Sequence, residues 1–163
     1  MSAVFDPIEW TDQLATGIAE IDRQHRFLVD AINDANHKLT DFPDLKLIEQ
    51  ITKDLLGYAI YHFETEEDLM LEYGYTAEST ADAELHERQH RDFSVRVMAI
   101  RDSLRGGNQV SIEDLLGFLN RWLISHIMDT DQLLASFIRQ KKPPERLSAA
   151  FCGQPPTEPI LKS

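Results

Sequence analysis

The chain has 163 residues, the size of one domain, and its 42% apolar content is enough for a core. Sixteen basic residues against 28 acidic ones give a net charge of −12, an acidic surface that repels phosphate backbones and disfavours nucleic-acid binding. No apolar run approaches the roughly 18 residues of a membrane span, the start shows no signal-peptide pattern, and the single Cys152 fits a reducing compartment, so a soluble cytoplasmic protein is expected. In chain order, residues 1–17 read as an extended arm closed by Gly17, with Ile8 and Trp10 placed to pack it on the body. A first helix is expected from about Ile18 to Leu39, since Ile21, Leu28, Val29 and Ile32 recur at helical steps. Asp41-Phe42-Pro43-Asp44 is a turn. The second helix runs from about Leu45 to Tyr73 and stops at Gly74. The third runs from about Thr80 to Arg105 and stops at Gly106-Gly107. Ser111-Ile-Glu-Asp114 is a capping-box variant opening a fourth, which carries Leu115, Leu119, Trp122, Leu123, His126, Leu133 and Phe137. Lys141-Lys142 and Pro143-Pro144 end it.

Long helices with short connections predict an all-α, up-down-up-down antiparallel four-helix bundle over residues 1–142. The proline-rich tail, 143–163, is read as loosely ordered, with Cys152 an idle exposed thiol.

Five of the six histidines form one ordered pattern with two carboxylates. His25 stands alone; then come His62-Phe-Glu-Thr-Glu66, His86-Glu-Arg-Gln-His90 and His126-Ile-Met-Asp-Thr-Asp131, each on a separate predicted helix. Residues four apart share a helix face about 6 Å apart, so His62 with Glu66, and His86 with His90, reach one point in the core. His126 and Asp131 are five apart, about 140° round an ideal helix. For both to converge, either the helix loosens locally or the Asp131 side chain bends. His37 matches no element of the pattern and is expected on the surface. In the acidic run Glu64, Glu66, Glu67, Asp68, only Glu66 has ligand spacing. Asp22 could orient a histidine, but a solvent-facing role is the simpler reading.

A structural zinc site is normally four-coordinate and uses cysteine, which this body lacks. Imidazole suits zinc, copper, iron and nickel; octahedral sites with bridging carboxylates favour iron or manganese. Two six-coordinate ions offer about twelve positions, and the seven side chains with an oxo or hydroxo bridge fill all but about one. That leaves room for a small diatomic ligand. Trp10, Trp122, Phe63, Phe93 and Leu69 are first of all core residues. Ile21, Tyr58, Phe63, Leu69 and Trp122 are also candidates to line the pocket of that ligand, a dry wall that slows proton entry.

The ordered set H…HxxxE…HxxxH…HxxxxD is similar to the di-iron motif of the hemerythrin family, in its bacterial branch. Further matching stretches are Trp10 with Gly17-Ile18, Ile21-Asp-Arg-Gln-His25, Tyr61 to Glu67, Leu69-Met70, Gly74-Tyr75, Phe93 and Trp122-Leu-Ile-Ser-His-Ile127. The resemblance covers about residues 8 to 140. It implies two iron ions joined by an oxo bridge and by Glu66 and Asp131, with His86, His90 and His126 on one ion and His25 and His62 on the other. It implies reversible dioxygen binding at the second ion, for carriage, storage or delivery to an oxygen-consuming client, by a monomer and without substrate turnover. Many family members carry tyrosine three residues after the bridging aspartate, where this chain has Leu134; oxygen affinity and autoxidation depend on such neighbours. The alternatives are an oxygen or redox sensor acting through a partner, and a di-iron enzyme: peroxidase, nitric-oxide reductase or ferroxidase. Ferritin-like oxygen-activating enzymes use more carboxylates and E-x-x-H spacing, which the ligand positions here do not show.

Overall fold

The computed structural model describes residues 6–41 and 44–141, and every regular element among them is helical. The centre of the predicted turn, Phe42-Pro43, and the tail from residue 143 lie outside the described residues. Among the described residues no helix is long and apolar enough to cross a membrane.

Residues 6–18 carry no helix, but they do not run extended throughout: the chain turns at 12–14, with the Leu14 N–H donating to the Thr11 carbonyl at 3.0 Å. Asn33 clasps Ile8 through both backbone groups, at 2.8 and 2.9 Å, and the Arg26 guanidinium lies over the Trp10 ring. Gly17, at φ 87°, turns the chain into helix α1, Ala19–Asp41. The positive φ strains any other residue there, and a Cβ would come within 3.2 Å of the Arg139 side chain, which would have to give by a few tenths of an ångström. Asp22 fixes this entry. Its carboxylate accepts from the Thr16 N–H at 2.7 Å, the Thr16 hydroxyl at 2.8 Å and the Gly17 N–H at 3.1 Å, satisfying donors just ahead of the helix. The expected solvent-facing role is replaced by a structural one.

Helix α2, Leu45–Glu72, opens on Asp44, whose side chain accepts from the Leu47 N–H. It ends before Gly74, which takes the left-handed conformation at φ 82°. A single turn that periodicity did not distinguish follows, α3, Tyr75–Glu78. Helix α4 spans Thr80–Arg105 and stops at Gly106-Gly107, as predicted. The Ser111 hydroxyl accepts from the Asp114 N–H at 3.1 Å and opens α5, Ile112–Ser125.

The predicted fourth helix then changes pitch. His126–Asp131 form a π-helical segment, and α6, Gln132–Lys141, continues from it; Ser125, His126 and Gln132 all keep right-handed helical dihedrals, so the backbone is unbroken. A π turn adds one residue to the helix. The buried face therefore moves one position along: Leu134, Ala135 and Ile138 are buried, while Leu133, expected on the apolar face, is 53% exposed.

The long segments pack in a ring, α1 on α2, α2 on α4, α4 on the π segment and α5 back on α1, while α3 packs on α2, α4 and α6. Two apolar clusters fill this ring. One takes α1 from Leu28 on, α2 up to Phe63, α4 from Phe93 on, and α5. The other takes Ile18 and Ile21, Met70, Tyr75, Ala83, and Leu134, Ala135 and Ile138. On α1, α2 and α4 a buried polar stretch separates the two.

Candidate metal centre

That polar layer holds all seven residues of the histidine–carboxylate pattern. His25, His62, Glu66, His86, His90, His126 and Asp131 are each no more than 3% exposed. Their ligand atoms gather into two groups, Glu66 with His86, His90 and His126, and His25 with His62, Glu66 and Asp131; within each group they lie within 4.8 Å of one another. The Asp131 carboxylate divides between the two sets. Its Oδ2 lies 2.8 Å from Nε2 of His25, and its Oδ1 lies 2.9 Å and 3.0 Å from Nε2 of His126 and His86. Glu66 Oε2 lies 3.1, 3.2 and 3.4 Å from Nε2 of His90, His86 and His62.

The π segment explains how His126 and Asp131 meet. An α-helix points residues five apart to different faces, whereas a π turn closes i to i+5 and stacks them. Of the two ways the spacing left open, local loosening of the helix is the one present.

Two glutamines orient the imidazoles, and sequence reading missed both. Gln24 Oε1 lies 2.7 Å from His62 Nδ1, and Gln89 Oε1 lies 2.7 Å from His126 Nδ1. The proton on His62 follows from the chain of bonds. Thr65 donates its hydroxyl to the Tyr61 carbonyl, so its oxygen accepts from Gln24 Nε2 at 3.1 Å. That leaves Gln24 Oε1 to accept from Nδ1–H of His62. The lone pair on His62 Nε2 then points inward, 3.1 Å from Nε2 of His25. Two ring nitrogens at that distance suit a shared cation between their groups better than each other. The donor set therefore fits a metal: the inward lone pair of His62, two buried carboxylates with oxygens left without a hydrogen bond, and Nδ1 of His62 and His126 held from outside by glutamines. A signal existed in the chain, because Arg23-Gln24-His25 and Arg88-Gln89-His90 repeat one tripeptide, but the partner of each glutamine lies on another helix.

Electrostatics divide the histidines. Burial pushes His62 down to about 4, outweighing the pull of Glu66. Burial also works against charge on His86, yet hydrogen bonds to Asp131 and Glu66 push it up to about 10. His126 is raised in the same way, burial being overcome by Asp131. Burial disfavours the charged forms of Glu66 and Asp131, but the surrounding histidines hold both carboxyls well below the usual range.

The oxygen-pocket candidates separate. Phe63 stacks on His90 at 3.9 Å and Trp122 on His126 at 4.4 Å, both against the first apolar cluster. Tyr58 joins that cluster from its edge and stacks on Phe27. Ile21 and Leu69 belong to the second cluster. Leu134, in the position of the family tyrosine, is fully buried there. The same cluster contains Tyr75, 2% exposed, whose hydroxyl has no partner among the described residues. Burial, with Asp82 and Asp131 nearby, pushes that hydroxyl up to about 12. His37 is exposed, as expected.

A helical fold with a buried polyhistidine–carboxylate centre defines a class of metal-binding proteins. Within it, residues 16–138 match the model of the hemerythrin HHE cation binding domain, and the chain belongs to the hemerythrin family. It is similar to the bacteriohemerythrin of Pseudomonas aeruginosa (strain LESB58), 34% identical over 122 residues and 75% of each chain. It is also similar to that of Stenotrophomonas maltophilia (strain R551-3), 32% identical over 130 residues and 80% of each chain. Its fold resembles a wild-type hemerythrin crystal structure, with a TM-score of 0.72 at 24% identity over 82% of this chain and 98% of that one. Family and cluster together support a non-haem iron protein.

Proposed function

We propose that this chain binds dioxygen reversibly at a non-haem di-iron centre, to carry, store or deliver it. His86, His90 and His126 would hold one iron and His25 and His62 the other, with Glu66 and Asp131 shared between them. The observation that carries this reading is the split Asp131 carboxylate, with one oxygen facing His25 and the other facing His126 and His86. When bound there, a pair of ferrous ions would supply the redox chemistry that reversible oxygen binding needs. The unequal histidine count would leave room for the ligand on the His25–His62 side.

The protein's own contribution is orientation and exclusion of water. Gln24 holds the proton on His62 Nδ1, and Gln89, itself bonded by the Thr130 hydroxyl, does so on His126. Phe63, Trp122 and Tyr58 on one side, and Ile21 and Leu69 on the other, wall the centre with apolar surface and slow the entry of protons.

In this reading residues 1–142 form one up-down-up-down bundle behind an N-terminal arm, working as a cytoplasmic monomer that binds rather than transforms its ligand. The alternation is supported by the two apolar clusters. The second cluster draws on residues before His25 and His86 but after Glu66 and Asp131, as antiparallel neighbours require.

The test is an optical spectrum of the anaerobically reduced, iron-loaded protein before and after oxygen. A visible charge-transfer band that appears with oxygen and fades on its removal is the expected result. Irreversible passage to the diferric spectrum would overturn reversible binding in favour of a redox sensor or a di-iron enzyme.

A further inference from the structure

A cleft of about 370 Å³ opens between α4 and α5 and reaches down to His126. Its polar lining is made of donors. Arg96 and Gln89 come from α4, and Arg121 and Ser125 from α5. Gln89 Oε1 is occupied by His126 and Thr130, which leaves its amide N–H groups as the donors it can offer a ligand. Neither arginine forms an ion pair among the described residues; the Arg96 guanidinium instead rests over the Phe118 ring at 4.1 Å. No carboxylate lines the cleft. In a chain with 28 acidic residues against 16 basic ones, two guanidiniums sharing an acid-free cleft run against composition. The apolar part of the wall is aromatic: Phe118, and Trp122 stacked on His126 with 14° between the rings.

We propose that this cleft is a binding site for a small organic anion, adjoining the metal centre on the outer side of His126. Its acidic head sits between Arg96 and Arg121, whose planar forks match carboxylate and phosphate oxygens. Its flat body lies against Trp122, and the Ser125 hydroxyl and the Gln89 amide complete the donor set. The volume is within the range of small-molecule sites.

Isothermal titration of the full, iron-loaded chain tests this with four probes: phenyl phosphate, benzoate, inorganic phosphate and benzyl alcohol. Saturable binding is expected for at least one of the two aromatic anions, and the tighter of them identifies the head as phosphate or carboxylate. Inorganic phosphate and benzyl alcohol, each lacking half of the ligand, should bind at least about tenfold more weakly. R96Q and R121Q should each weaken the aromatic anion about tenfold, the loss of one charge-assisted hydrogen bond. Both positions are exposed, so the variants keep the fold, which circular dichroism checks. No saturable heat from either aromatic anion at about 10 mM, the range of millimolar and weaker sites, would overturn the proposal. So would unchanged affinity in the double variant.

Discussion

Nε2 of His126 and Oδ1 of Asp131 lie 2.9 Å apart although five residues separate them on one helix. The π segment that makes this possible also sets which leucine beyond it is buried. Leu134→Ala should therefore cost about 2–5 kcal/mol, the range for deleting a fully buried leucine side chain. Leu133→Ala, at an exposed position, should stay within about 0.5 kcal/mol. Urea denaturation of the two variants measures both. A larger loss from Leu133 would mean that α6 follows uninterrupted α-helical phase.

Removing an orienting amide should weaken metal binding without unfolding the bundle. Gln24→Ala frees His62 Nδ1 from its acceptor among the described residues, and a lost partner of this kind typically costs about 10–100-fold in metal affinity. Gln89→Ala should act likewise through His126. Competition with a graded iron chelator reads the change; wild-type affinity in both variants would show that the glutamines are only packing.

Substituting the divided carboxylate should change stoichiometry more than fold. Asp131→Asn keeps the volume but removes the charge shared by the two ligand groups. Iron bound per chain should fall below that of the unaltered protein, with helicity by circular dichroism retained. Full iron loading of this variant would deny Asp131 a bridging role.

With iron stripped by chelator, stability should pass through a maximum with pH. His62 is depressed to about 4 against 6.5 unfolded, so the stability it contributes is present above about 6.5 and lost as pH falls toward 4. Glu66 and Asp131, also depressed, lose theirs on further acidification. His86 is raised to about 10; its contribution is full below about 6.5 and disappears as pH rises toward 10. The raised His126 adds to that alkaline loss. Melting temperatures from pH 4 to 10 should trace a dome, and iron should flatten its alkaline side because metal replaces the proton on His86. A curve rising steadily to pH 10 would contradict the arrangement around His86.

The residues themselves carried most of the centre. His62 with Glu66 and His86 with His90 are four apart, and helix geometry alone places each pair on one face. Gly17, Gly74 and Gly106-Gly107 marked the chain punctuation, because glycine takes turns that other residues resist. These are local facts, decided within a few residues, and a single chain displays them.

What tertiary structure decided lies across helices. Gln24 and His62 are 38 residues apart, and Gln89 and His126 are 37 apart; no spacing rule links them until the helices pack. Asp22 became a clasp for Thr16 and Gly17, and Tyr75 a buried hydroxyl, for the same reason. The π segment is the intermediate case. The five-residue interval from His126 to Asp131 showed that an ideal helix would not bring them together, but the burial of both side chains against Glu66, His25 and His86 selected the local change of pitch. Periodicity assigns residues to a face; packing determines which atoms meet there.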